Sequence, residues 1–261
     1  MRSAASSRIA SLGARIESDL DAEGYAFVPH LSSVAGDVSV LDVARVLGSI
    51  CLLPGSASDY PIIETQPNAD ATHVAPFDRA EAIGWHNDFS THELRPSVSL
   101  AYLDRADPRG PQYGAWRVAS CDRILEDLRR SSDGTDAIRF LTETALPYSF
   151  TGEGVPLFFR AIERRGPMFG RLAIRFYGRA MRDGARLAYG QLPDDVLRAI
   201  LAVEAAADRV GRILNAASGA LLVTDNWHSL HDRLVQTVDL NAPRRRSLLC
   251  FVDRRKGEHN E

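Results

Sequence analysis

The chain has 261 residues, 45% of them apolar, and a formal net charge of −3, enough to build a sizeable core but without the Lys and Arg excess that nucleic acid or an anionic membrane calls for, so the expected partner is a small molecule. Cys51, Cys121 and Cys250 form no CxxC pair and leave an odd one over, which suits a reducing compartment better than a disulfide framework. No apolar run approaches the ~20 residues that span a bilayer, and no continuous apolar segment follows the N-terminus as in a signal peptide, so the expectation is a cytoplasmic protein away from membranes.

Ile9, Leu12, Ile16 and Leu20 recur at helical spacing behind Ser6 and Ser7 and predict an amphipathic first helix that ends at Gly24. Tyr25 to Leu31 then reads as a strand. Residues 39–50 put Val40, Val43, Leu47 and Ile50 on one helical face, closing at Pro54-Gly55. Residues 66–82, rich in Pro, Asn, Asp and Ala, form a long irregular segment of the kind that serves as an active-site lid. Strands are expected at 83–89 and 97–103, a turn at 107–111, and helices over 121–130 and 134–143. A strand pair, 157–162 and 171–177, flanks Gly166-Pro167. Pro193 starts a helix over 193–207, with Asp194 and Asp195 in its first turn. Strands at 220–225, 228–235 and 245–252 complete the chain. With no repeat or linker, one domain spans 1–261: a helical and strand support (1–55), a lid-like segment (56–82), the main body (83–252) and a polar tail (253–261).

Gly84-Trp85-His86-Asn87-Asp88 places a histidine and a carboxylate two apart on an expected strand, so both leave one face of the sheet, as two ligands of one metal must. Alone, such a triplet equally describes a surface strand with two solvated side chains. A second segment, Asp225-Asn226-Trp227-His228-Ser229-Leu230-His231-Asp232-Arg233, and the cluster Arg244-Arg245-Arg246 at the head of an apolar strand add what a site needs. Two imidazoles and one carboxylate with open positions opposite suit iron(II) that also binds a chelating co-substrate and oxygen. An arginine can hold a dicarboxylate by paired charge-assisted hydrogen bonds.

On the WHND tetrapeptide, the DNxxxLHxR segment and an arginine about 15 residues after the second histidine, the sequence resembles the taurine dioxygenase and clavaminate synthase-like branch of the iron(II)/2-oxoglutarate-dependent oxygenases. The resemblance implies His86, Asp88 and His231 as iron ligands. It also implies a mainly β fold with flanking helices, a double-stranded β-helix or jelly-roll (cupin-like) barrel. The implied chemistry is decarboxylation of 2-oxoglutarate to succinate with O2, producing an oxidant that takes a hydrogen from the substrate. His228 competes with His231, but the Leu-His-x-Arg context favours His231; His92, six residues past His86, falls in a loop. Alternation puts Arg244 and Arg246 on one face and Arg245 on the other, and the family spacing favours Arg246 as the co-substrate anchor, with Arg244 beside it. The family's Gly-Gly-x-Thr is missing. Counting forward puts Tyr113 in the threonine position and counting back puts Trp116 there, so the Tyr113 hydroxyl is the candidate for the far carboxylate. His73, Asn68 and Gln66 in the lid-like segment, and Arg175, are candidates to meet a polar or anionic substrate.

Halogenases of the superfamily replace the carboxylate ligand by a small residue, so the presence of Asp88 argues for hydroxylation or another hydrogen-abstraction outcome. The expected activity is hydroxylation of a small polar, amino-acid-like molecule, in degradation or secondary metabolism. Desaturation, epoxidation or cyclisation on the same centre, and a non-catalytic binding barrel, are the alternatives.

Overall fold

The computed structural model describes residues 2–36, 38–52, 61–68, 76–164, 171–238 and 241–254. Helix α1 (Arg2–Glu23) leads into strand β1 (Tyr25–Val28), helices α2 (Leu31–Ala35) and α3 (Val40–Leu47), and strands β2 (Gly48–Ile50) and β3 (Ile63–Thr65). A 3-10 turn at Pro76–Asp78 precedes β4 (Val98–Arg105) and β5 (Trp116–Ser120), which are followed by helices α4 (Cys121–Leu128) and α5 (Ser132–Glu143). Short strands β6 (Ala145–Tyr148), β7 (Leu157–Arg160), β8 (Ile162–Glu163) and β9 (Ala173–Ile174) come before helices α6 (Gly178–Tyr189) and α7 (Asp194–Val210). The chain closes with β10 (Arg212–Leu214), β11 (Leu221–Asp225), β12 (Ser229–Arg233) and β13 (Arg246–Arg254).

Every pairing is antiparallel. The larger sheet has the order β1-β11-β4-β13-β2, with β3 also on β13; a second sheet has the order β10-β5-β12. The two inner faces meet where Trp116 and Val118 of the second sheet contact Leu103 and Leu222 of the first. On the outer face of the larger sheet, Leu12, Ile16 and Leu20 of α1 and Val43 and Leu47 of α3 pack on Leu100, Val223 and Val252. Helices α4 to α7 cover the outer face of the second sheet, with Ile124, Leu141, Met181 and Ile200 sharing a core with Ala119 and Leu230. Burying one such side chain is worth about 1.5–3 kcal/mol, so these two layers fix where β12 and β13 lie. No described helix is long and apolar enough to cross a membrane.

The periodic elements fall close to their expected places, including α1, α7, β11, β12 and β13. Several regions differ: the strand expected over 25–31 ends at Val28, Leu31 already opens α2, and α6 forms where no helix was expected. The helix expected over 39–50 stops at Leu47, and Gly48 begins a strand that pairs with Arg254. The strand pair expected over 157–162 and 171–177 divides: β7 pairs with β6, while β8 and β9 share only two residues each. The strand expected at 83–89 does not form, because the backbone turns at Gly84 (φ 88°) and again at Phe89 (φ 57°). Only His86 keeps ladder contacts, to His231 on one side and Tyr177 on the other.

Leu230, fully buried on the face of β12 that meets the helical layer, tests this packing. Leu230→Ala is expected to cost about 2–5 kcal/mol in urea unfolding; a loss below about 0.5 kcal/mol would mean that the layer is not packed in this way.

Candidate metal centre

The two histidines are locked together through their own backbones. The His86 N–H donates to the His231 carbonyl and the His231 N–H to the His86 carbonyl, both at 2.9 Å. His86 Nδ1 lies 2.8 Å from the Gly84 carbonyl, so Nδ1 carries the proton and the Nε2 lone pair is left for a metal. Gly84 holds this position with a positive φ that costs glycine nothing, and its N–H donates to Asp232 Oδ1 at 2.8 Å. Asp232 is fully buried and accepts two further bonds from Arg117, at 3.0 and 2.7 Å. The neighbour of one histidine therefore fastens the turn that aims the other.

Asp88 sits in a turn rather than on a strand, and Asn226 supplies the missing ladder. Its carboxamide accepts from the Asp88 N–H and donates to the Asp88 carbonyl, both at 2.9 Å. Asn87 does the same work toward the opposite side, accepting from Phe176 N–H at 2.8 Å and donating to the Ser229 carbonyl at 2.7 Å. Phe89, a non-glycine residue in the left-handed region, is strained, and its ring packs edge-on against Phe251 at 5.0 Å.

The three ligand groups converge: one donor atom from each of His86, Asp88 and His231 lies within 4.8 Å of the others. His231 Nε2 is 3.3 Å and His86 Nε2 3.9 Å from the Asp88 carboxylate. Neighbouring ligands with metal bonds of about 2.1 Å stand roughly 3 Å apart, so small adjustments close the set on one ion. Burial first, and then His231, push the His86 pKa down to about 4. Burial alone would raise the Asp88 carboxyl, but His231 and then His86 hold it below the usual carboxylate range. A neutral imidazole and an ionised carboxylate are the forms that bind a metal, and this donor set fits iron(II) with open positions opposite.

The other expected site residues divide sharply. His228 is buried beside Asp225, its Nδ1 3.2 Å from that carboxylate, and lies outside the centre. Arg246 points away from it, bonding Asp104 at 2.6 and 2.7 Å with Glu64 nearby; Arg244 donates to the Pro67 carbonyl at 3.3 Å. Tyr113 lies under the Arg109 guanidinium, away from the cavity. Arg175 is buried, bonding the Ser90 and His92 carbonyls at 3.0 and 2.6 Å, so it braces the segment after Asp88. Asn68 and Gln66 are tied through their N–H groups to Asp78, and His73 falls outside the described residues.

A cavity of about 400 Å³ opens over the three ligands, between the two sheets, within the usual range for small-molecule sites. Arg245, just before β13, and Ser247, Leu249 and Phe251 along it line the cavity, so the cavity arginine is Arg245 and not Arg246. Arg245 is only 3% exposed, donates to Ser247 Oγ at 2.7 Å, and leaves Nη2 without a partner. A Cβ at Gly114 (φ 63°) would stand 2.6 Å from the Arg245 side chain, so glycine is required for the arginine to pass. Burial first, and then the nearby Arg233, push the guanidinium down to about 9, with Asp107 opposing the shift; it is still a cation, with no carboxylate bonded to it among the described residues. Sequence reasoning missed this face because β13 is covered on both sides and its apolar run shows no alternation. It missed Tyr177 and Phe150, also in the wall, because no motif marks them.

No family model matches the chain, and no curated protein matches it significantly. Among solved structures it is similar to asparagine oxygenase in complex with Fe(II), 2S,3S-3-hydroxyasparagine and succinate, with a TM-score of 0.72 and 18% identity over 94% of this chain and 78% of that one. It is also similar to the non-haem iron oxygenase OrfP in complex with Fe and α-ketoglutaric acid, with a TM-score of 0.64 and 15% identity over 96% of this chain and 92% of that one. At such identities the likeness is one of fold, and this chain has the fold of those non-haem iron oxygenases.

Two outcomes follow for the centre. In anaerobic calorimetric titration with iron(II), His86→Ala and His231→Ala should each abolish measurable binding, while His228→Ala should bind as wild type does; loss of binding in His228→Ala alone would reverse the assignment. For the metal-free protein, a His86 pKa lowered from 6.5 to about 4 means that the unfolded state takes up a proton in that window and the folded state does not. Stability should therefore fall as pH drops from 6.5 towards 4, with a shallower fall in His86→Phe measured by denaturant titration.

Proposed function

We propose that this chain is an iron(II)/2-oxoglutarate-dependent oxygenase of the taurine dioxygenase and clavaminate synthase-like type that hydroxylates a small, amino-acid-like molecule. The observation that carries this reading is the convergence of His86, Asp88 and His231 at the floor of a cavity whose far wall holds a buried, partly unpaired arginine. The two facing sheets then correspond to the walls of a double-stranded β-helix, with the centre between them. The solved neighbours include complexes with Fe(II), succinate and hydroxylated asparagine or arginine, which supports both the cofactor and the substrate class.

His86, Asp88 and His231 would hold the iron on one face and leave the opposite face open. Iron(II) with 2-oxoglutarate and O2 supplies the oxidising power for an unactivated C–H bond. The chain's own residues do the rest. Arg245 takes the far carboxylate of 2-oxoglutarate, its unpaired Nη2 and the adjacent Ser247 hydroxyl standing in for the absent threonine. Asn226 and Gly84 keep Asp88 and His86 aimed while substrate enters, and the apolar cavity wall keeps water from the reacting carbon. Desaturation, epoxidation and cyclisation would use the same arrangement, and product analysis separates them.

The test is succinate formation from 2-oxoglutarate by protein purified anaerobically and given iron(II), ascorbate and oxygen with a substrate panel. Wild type should turn over and His86→Ala should not; equal turnover in the variant would sink the site. Arg245→Ala should raise the KM for 2-oxoglutarate roughly 10- to 100-fold, whereas Arg246→Ala should change it less than about 3-fold. The reverse order would return the anchor to Arg246.

A further inference from the structure

The chemistry of the cavity wall narrows the substrate, granted the oxygenase reading above. Besides the ligand Asp88, the carboxylate among the described lining residues is Asp232, and its oxygens are already taken by Gly84 and Arg117. The cations in the wall are Arg245 and Arg233, the latter bonded to the carbonyls of Arg79 and Leu234. A free ammonium or guanidinium entering beside bound 2-oxoglutarate would lose its hydration next to the Arg233 guanidinium, with Asp232 already bonded and no further described carboxylate in the wall to receive it. An apolar group meets the opposite situation, because Phe77, Phe89, Phe150, Trp116, Leu249 and Phe251 all face the cavity.

Among the neutral donors of the wall, Tyr177 packs against the ligand His86. Tyr177 lines the cavity with its ring 5.5 Å from that of His86 and 6.5 Å from that of Phe150. It is 4% exposed, and its hydroxyl has no hydrogen-bond partner. Burying a donor unsatisfied is costly, and an uncharged carbonyl oxygen relieves that cost without bringing in a charge.

We propose that the substrate is an amide derivative of an aromatic or branched-chain amino acid that carries no free ammonium. Its apolar side chain lies on the aromatic wall, and an amide carbonyl accepts from the Tyr177 hydroxyl. The chain would thus differ in substrate charge from the neighbours of known structure, whose complexes contain hydroxylated asparagine and arginine.

The experiment is calorimetric titration of anaerobic protein loaded with iron(II) and 2-oxoglutarate. The probes are N-acetyl-L-phenylalaninamide, N-acetyl-L-leucinamide, L-phenylalaninamide, L-asparagine and L-arginine. At least one acetylated amide should bind about 10-fold tighter than the three ammonium-bearing probes, and Tyr177→Phe should weaken that binding about 5-fold. If an ammonium-bearing probe binds as tightly as the acetylated amides, or if neither amide binds, the assignment is overturned; unchanged amide binding in Tyr177→Phe removes the tyrosine from it. The same titrations on protein without metal and 2-oxoglutarate separate the two readings. Amide selectivity without 2-oxoglutarate binding would leave the amide site standing and fell the oxygenase, and 2-oxoglutarate binding without selectivity would do the opposite.

Discussion

The structure turns on the reciprocal pair of backbone hydrogen bonds between His86 and His231. Nearly 150 residues separate the two in sequence, and a turn on each side keeps the first from belonging to any strand. Closing so long a loop is costly in chain entropy, and two hydrogen bonds alone do not offset it. The offset comes from the layers that place β12: Leu230 packs into the helical core on one side while His231 faces the cavity on the other. Packing fixes the strand, the strand fixes one ligand, and the pair of bonds carries that position across to the other.

Electrostatics then divides the cavity into two ends. At one, burial and mutual proximity keep His86 neutral and Asp88 ionised, so the ligand set is ready for a cation of charge two. At the other, Arg245 is buried without a carboxylate bonded to it. An isolated charge of either sign is expensive in such surroundings, and a ligand that is an anion at one end and a metal chelator at the other relieves both costs at once. This complementarity, more than the count of ligands, favours a dicarboxylate co-substrate.

Much of the architecture was legible in the sequence because several elements are covered on one face and so keep a period: α1, α3 and α7 show helical spacing, and the C-terminal strands announce themselves by apolar content. The grouping of His86, Asp88 and His231 was legible through the two motif segments and the resemblance they carry, and the structure brings the three side chains together. What was not legible depends on partners far away in sequence. The 83–89 segment has the residues of a strand, and only the turn at Gly84 and the strained Phe89 prevent one. The choice among three consecutive arginines needs the facing of β13, which a strand buried on both sides does not declare. Helix α6, with glycines at its start and centre, has weak propensity and forms through its packing on β6.

The metal ligands are held almost wholly by contacts to main chain: Asn226 on residue 88, Asn87 on residues 176 and 229, His86 on residues 84 and 231. Main-chain groups are the same whatever side chains surround them. Replacing a side chain of the aromatic wall therefore leaves the mutual positions of His86, Asp88 and His231 in place, so the wall can change its shape independently of the three-residue cluster.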